Sequence, residues 1–148
     1  MHPNLLLSLP VILGGALGAL CRVKADAAVS AAMGGHFPLG ILCVNMAGSL
    51  LMGLLMGGLS RLEESVPAPE GETARSAAEE TAAWLGAFFG TGFLGGFTTF
   101  SSFALDTVRL WQAGHSSFAL LNIGLNGALC IGLAGLGWWM TAPRGQRS

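Results

Sequence analysis

Four long apolar stretches, almost free of charge, alternate with short polar segments along this chain. The first runs from Pro3 to Cys21 and the second from Phe37 to Ser60. The third runs from Thr81 to Leu105 and the fourth from Ser116 to Pro143. Each reaches the roughly 20 residues that a helix needs to cross a bilayer. The pattern predicts an all-α membrane protein, one domain of four transmembrane helices over residues 4–32, 38–60, 82–110 and 116–140. The connection 61–80, rich in Glu, Ala and Pro, reads as a polar surface loop.

Composition agrees with this pattern and removes several function classes. Of 148 residues, 52% are hydrophobic and 10% charged, where a soluble domain carries about 25% charged residues. Cys21, Cys43 and Cys130 are odd in number, fall in or at the ends of apolar stretches and form no CxxC pair. Neither a disulfide framework nor a zinc site is indicated. The N-terminal stretch lacks a basic n-region and a small-residue cleavage site, so it is expected to stay as a span. A net charge of −1 gives nucleic-acid binding no electrostatic support.

Charge placement bears on orientation. Four spans put Arg61, Arg75, Arg144 and Arg147 on one side and Arg22, Lys24 and Arg109 on the other. Lys/Arg bias orients membrane proteins, and four against three is nearly none. Two readings stay open: weak orientation decided by hydrophobic signals, or dual topology with copies inserted both ways.

The third stretch is interrupted. Four glycines and three threonines between Gly90 and Thr99 weaken its helix. Irregular backbone survives at membrane depth only inside protein or along a watery cavity. A helix broken there points to a site for an ion or small solute. The run Gly90-Thr91-Gly92-Phe93-Leu94-Gly95 matches a dinucleotide fingerprint in form, but no strand, βαβ unit or acid about 20 positions further on accompanies it. Beyond the break, Phe100 and Phe103 share a helix face. Their ring edges carry positive charge, and Ser101 and Ser102 add hydroxyl donors. Such groups can replace an anion's hydration shell without a fixed charge that would trap it.

The remaining polar residues fit the same theme. Asn45, with Ser49 one turn on, lies in the middle of the second span. Asn122, Asn126 and Cys130 form a stripe at four-residue spacing in the fourth. An amide in a dry helix is expensive without partners, so interhelical bonding and an anion track are both open. Arg22 continues the Gly14/Gly18 face, either snorkelling to headgroups or making a pore mouth attractive to anions. The pairs Gly14/Gly18, Gly53/Gly57 and Gly86/Gly90 give small-residue faces for close helix contact. No carboxylate lies in the middle of a span; Asp26 and Asp106 lie toward the ends.

These residues resemble the Fluc/CrcB family of microbial fluoride channels. Gly15-Ala16-Leu17-Gly18-Ala19-Leu20-Cys21-Arg22 is similar to that family's GxxGAxxR. Gly40 through Asn45, followed by Gly48-Ser49, is similar to GTxxVNxxGS. Gly92 through Phe103 is similar to GFxGGxTTFSTF, the longest and most specific motif. Departures are Ile41 for a threonine, Ser102 for a threonine, Ala104 and Asp106 for Ser and Glu, Asn122 for a tyrosine and Asn126 for a serine. The resemblance implies an antiparallel dual-topology homodimer with two fluoride pores in the bacterial inner membrane. It implies that Asn45, Phe100 and Phe103 line the fluoride path, with Ser101, Ser102 and Asn126 alongside. Arg22 would make the vestibule electropositive, and Gly95 and Thr98 would offer backbone carbonyls to a structural Na⁺ at the dimer axis. The expected function is passive export of fluoride, which protects the cell. The rival is a small proton-coupled multidrug exporter, also four-helix and dual-topology, whose chemistry needs a membrane-embedded carboxylate.

Overall fold

The computed structural model describes residues 3–65 and 72–146. Arg147 and the middle of the expected 61–80 loop lie outside the described residues. Helix α1 (Pro3–Met33) runs unbroken through Pro10. Helix α2 (Leu39–Glu64) follows, then α3 (Glu72–Leu85). The third stretch continues as a π-helix (Gly86–Leu94) and the short α4 (Gly95–Phe97). After Thr98 and Thr99 come α5 (Phe100–Gln112), α6 (Ser116–Thr141) and a single 3₁₀ turn (Arg144–Gln146).

The third span is broken near its middle, as expected, at Thr98 and Thr99, and two details need correction. Residues 61–64 and 72–80 are helical rather than loop, because Ala and Glu are strong helix formers whatever their polarity. The glycine-rich stretch from Gly90 to Gly96 does not itself break. It widens into a π-helix, with the Gly95 amide bonded to the Gly90 carbonyl five residues back. The chain opens only at Thr98 (ψ 157°) and Thr99 (φ −151°, ψ 119°), both extended.

Close backbone contact explains where the glycines sit. A Cβ on Gly14 or Gly18 would run into the carbonyl oxygens of Phe88 and Phe93. One on Gly92 would come within 2.9 Å of the Val11 carbonyl oxygen. Helix α1 therefore lies backbone to backbone on the π-helix. Gly53 and Gly57 do the same for α2 against Ala134, Trp138 and Thr141 of α6, where Thr141 donates a hydroxyl bond to the Leu54 carbonyl at 3.0 Å. The Gly86/Gly90 pair makes no such backbone contact: Gly86 meets only Leu59 and Gly90 only flexible side chains of α2.

The exterior is apolar and the interior partly polar, the reverse of a soluble domain. Ile12, Leu17, Val23, Leu120 and Ile131 are exposed. Asn45, Thr99, Asn122 and Asn126 are buried. Helices α1 (over Leu7–Met33), α2 and α6 are each long and apolar enough to cross a membrane. The broken series α3 to α5 runs among them.

Candidate functional site

The break is held open by one side chain. Thr99 caps α5, its Oγ1 accepting the Ser102 amide at 3.2 Å. Its own backbone is gripped at both ends by Asn45. The Thr99 amide donates to Asn45 Oδ1 at 2.9 Å. Asn45 Nδ2 donates to the Thr99 carbonyl at 3.1 Å. The polar pull of Asn45 is thus turned on the strand-like dipeptide that interrupts the helix, and both groups avoid desolvation without a partner.

From Asn45 a directed chain of hydrogen bonds crosses to α6 and returns to α5. Asn45 Nδ2 also donates to Asn126 Oδ1 at 3.0 Å. Asn126 Nδ2 donates to the Asn122 carbonyl at 3.1 Å and to Asn122 Oδ1 at 2.9 Å. Asn122 Nδ2 donates to Thr107 Oγ1 at 2.9 Å, and Thr107 donates to the Phe103 carbonyl at 2.8 Å. A primary amide has two donor hydrogens. Those of Asn45 and of Asn126 are all committed within the protein.

Beside this chain lies a groove of about 770 Å³ between α2, the break, α5 and α6. Asn45, Thr98, Phe100, Phe103 and Asn126 line it, as do Ser49 and Cys130. Phe100 is 79% exposed, and its ring meets that of Phe103 edge to face, with centroids 5.4 Å apart. Among the described residues lining the groove there is no carboxylate. Asp106 pairs with Arg109 at 3.5 Å, and Asp26 accepts from Ser30 at 3.4 Å.

Not every expected residue faces this groove. Ser101 and Ser102 lie behind it, their hydroxyls 3.1 and 3.2 Å from Thr99 Oγ1. Arg22 stands on α1, half-buried, with a Nε that is sealed from solvent and has no hydrogen-bond partner among the described residues. Gly95 is exposed and Thr98 half-buried. In an unbroken helix the Thr99 amide would close on the Gly95 carbonyl and the Ser102 amide on that of Thr98. Both amides go to side chains instead, Asn45 Oδ1 and Thr99 Oγ1. The two carbonyls are left without those partners, and backbone oxygens of this kind fit a hard cation.

Sequence reasoning passed over Thr99 and Thr107. Thr99 carried a readable signal: a hydroxyl residue just before the helix resumes, where an N-cap is preferred. Thr107 carried none, since a threonine within a helix usually bonds only to its own preceding turn.

A family model described as "CrcB-like protein, Camphor Resistance (CrcB)" matches residues 9–138. The chain belongs to the CrcB family. Individual CrcB relatives align over nearly their whole length. A protein of Pseudoalteromonas translucida named fluoride-specific ion channel FluC is 39% identical over 137 residues, covering 91% of this chain and 99% of its own. One of Syntrophotalea carbinolica with the same name is 44% identical over 124 residues, covering 83% and 87%. A third, from Cereibacter sphaeroides, is 39% identical over 137 residues, covering 93% and 94%.

Proposed function

We propose that this chain is a fluoride channel, a multi-pass protein of the bacterial inner membrane that lets fluoride leave the cytoplasm passively. The observation that carries the reading is the groove at the helix break. Aromatic rings and neutral polar groups line it, with no carboxylate among the described lining residues, in a CrcB chain whose relatives are named for fluoride. Hydrogen fluoride crosses membranes as a neutral acid and ionises inside, where the anion is trapped. A route down the electrochemical gradient drains it, driven by a negative-inside potential.

The geometry suits passage rather than capture. Phe100 and Phe103 can turn positive ring edges toward a small anion, while Asn45 and Asn126 line the path between them and α6. Arg22, whose Nε has no partner among the described residues, would raise the local potential at a vestibule and with it the anion concentration. The absence of a carboxylate among the described groove residues favours this reading over a proton-coupled drug exporter. A channel of this kind performs no covalent step.

We further propose an antiparallel dual-topology homodimer. The groove is open on the single chain and Phe100 is largely uncovered. Gly124, Gly127, Gly132 and Gly135 of α6 have open space where a side chain would stand, and small residues on an open face suit close helix contact in lipid. The near-equal Lys/Arg count on the two sides is what copies inserted both ways require. The carbonyls of Gly95 and Thr98 would hold a Na⁺ shared between the two breaks. That ion would supply fixed positive charge at the dyad without being transported.

The test is growth. Bacteria stripped of their own fluoride exporter and expressing this chain should tolerate fluoride at levels that stop the parent strain. Full sensitivity in cells that hold the protein in their membrane would count against the reading.

A further inference from the structure

The groove contains six polar residues, Asn45, Ser49, Thr98, Thr99, Thr107 and Asn126, and five of them have no side-chain donor left for a visitor. Asn45 and Asn126 use both amide hydrogens. Thr98 donates its hydroxyl to the Leu94 carbonyl at 3.0 Å, Thr99 to Ser102 Oγ at 3.2 Å and Thr107 to the Phe103 carbonyl. Ser49 differs. A helical serine commonly bonds back to the carbonyl four residues earlier, here that of Asn45, but the Ser49 hydroxyl makes no hydrogen bond among the described residues.

We propose that Ser49 supplies the hydroxyl donor to fluoride in the groove, while Asn45 and Asn126 hold the break without donating to the ion. The inference rests on the fluoride-channel reading and assigns the donor within it. A hydroxyl has one hydrogen and a free torsion, so it can follow an anion along the groove. A hydrogen bond to a charged acceptor is stronger than a neutral one, yet one such bond does not hold the ion as a fixed cation would. Ser49 stands one helical turn from Asn45 and next to Gly48, whose missing Cβ admits the Thr98 side chain against α2. The free hydroxyl is therefore beside the break. Cys130 also lines the groove, but a thiol is a weak donor.

Fluoride efflux from liposomes holding wild type, Ser49→Ala or Ser49→Thr tests the assignment. Removing one donor to a charged group should slow Ser49→Ala about tenfold or more. Ser49→Thr keeps the hydroxyl and should stay within about threefold of wild type. Both should elute and melt as wild type does. Should Ser49→Ala aggregate, Ser49→Cys replaces it, with flux expected between those of alanine and wild type. Wild-type flux in the alanine or cysteine variant overturns the proposal, and so does an equal loss in the threonine variant. Wild-type liposomes that retain fluoride overturn the channel reading itself and this assignment with it. That result is distinct from a conducting wild type with an unaffected Ser49→Ala.

Discussion

Asn45 closes a ring on Thr99: the Thr99 amide donates to Oδ1 at 2.9 Å and Nδ2 returns a bond to the Thr99 carbonyl at 3.1 Å. One amide thereby does for an extended residue what a neighbouring strand would do. Asn45→Asp keeps the acceptor and loses both donors. The Thr99 carbonyl and Asn126 Oδ1 would then face a carboxylate. Fluoride flux should vanish, and the protein should also lose roughly 2–3 kcal/mol of stability. Flux in liposomes and melting in detergent check the two effects; unchanged melting would mean that Asn45 does not hold the break.

Asn122 is 1% exposed and stands between Asn126 and Thr107 in the hydrogen-bond chain. Asn122→Leu leaves a buried donor on Asn126 without its acceptor. Destabilisation of about 1–3 kcal/mol is expected. Combined with Thr107→Val, the two losses should be less than additive, with a coupling of about 0.5 kcal/mol or more. Strict additivity in a double-mutant cycle would remove the Asn122–Thr107 link.

The phenylalanines should separate function from stability. Phe100 is 79% exposed on the single chain, so Phe100→Ile removes little packing within one subunit. Isoleucine keeps apolar bulk and has no positive ring edge. Phe100→Ile and Phe103→Ile should each slow fluoride sharply while the protein elutes and melts near wild type. Undiminished flux in both would reduce the rings to packing.

Cation exchange tests the sodium proposal. The ligands would be backbone carbonyls, so Thr98→Ser should be tolerated, whereas a bulky residue at the exposed Gly95 should crowd the ion site between the two subunits. Prolonged exchange of Na⁺ for a large organic cation should lower flux and dimer stability, and Na⁺ readdition should restore both. No change on complete exchange would exclude a structural sodium.

Orientation has its own readout. With Cys21, Cys43 and Cys130 replaced by alanine, Ser148→Cys should react with an impermeant maleimide from both faces of the membrane. Labelling from one face alone would contradict dual topology.

Much of this was legible in the sequence because lipid imposes few solutions. Apolar stretches of span length must become helices there, and a segment such as Gly95 to Phe103 stands out against them. The Gly14/Gly18 face was legible because small residues at four-residue spacing have one strong use in lipid. The exact position of the break within Gly90 to Thr99 was not. Glycine at 90, 92, 95 and 96 weakens a helix in isolation, but contact with α1 keeps this stretch wound, and tertiary packing overrides propensity. The Glu- and Ala-rich segment after residue 71 was read by its polarity when its helix propensity decided. Donor commitment was also hidden. Asn45 and Asn126 are as good on paper as anion ligands as they are as struts, and only the distances between helices show where their hydrogens go.

Fluoride release from liposomes carrying only this protein tests the central claim most directly. The vesicles are loaded with potassium fluoride and followed by a fluoride electrode, with valinomycin added to balance charge. Rapid release is expected once valinomycin is present, with no proton gradient required and no comparable release when chloride is loaded instead. Fluoride that stays inside, or leaves only when a proton gradient is imposed, would contradict a passive fluoride channel.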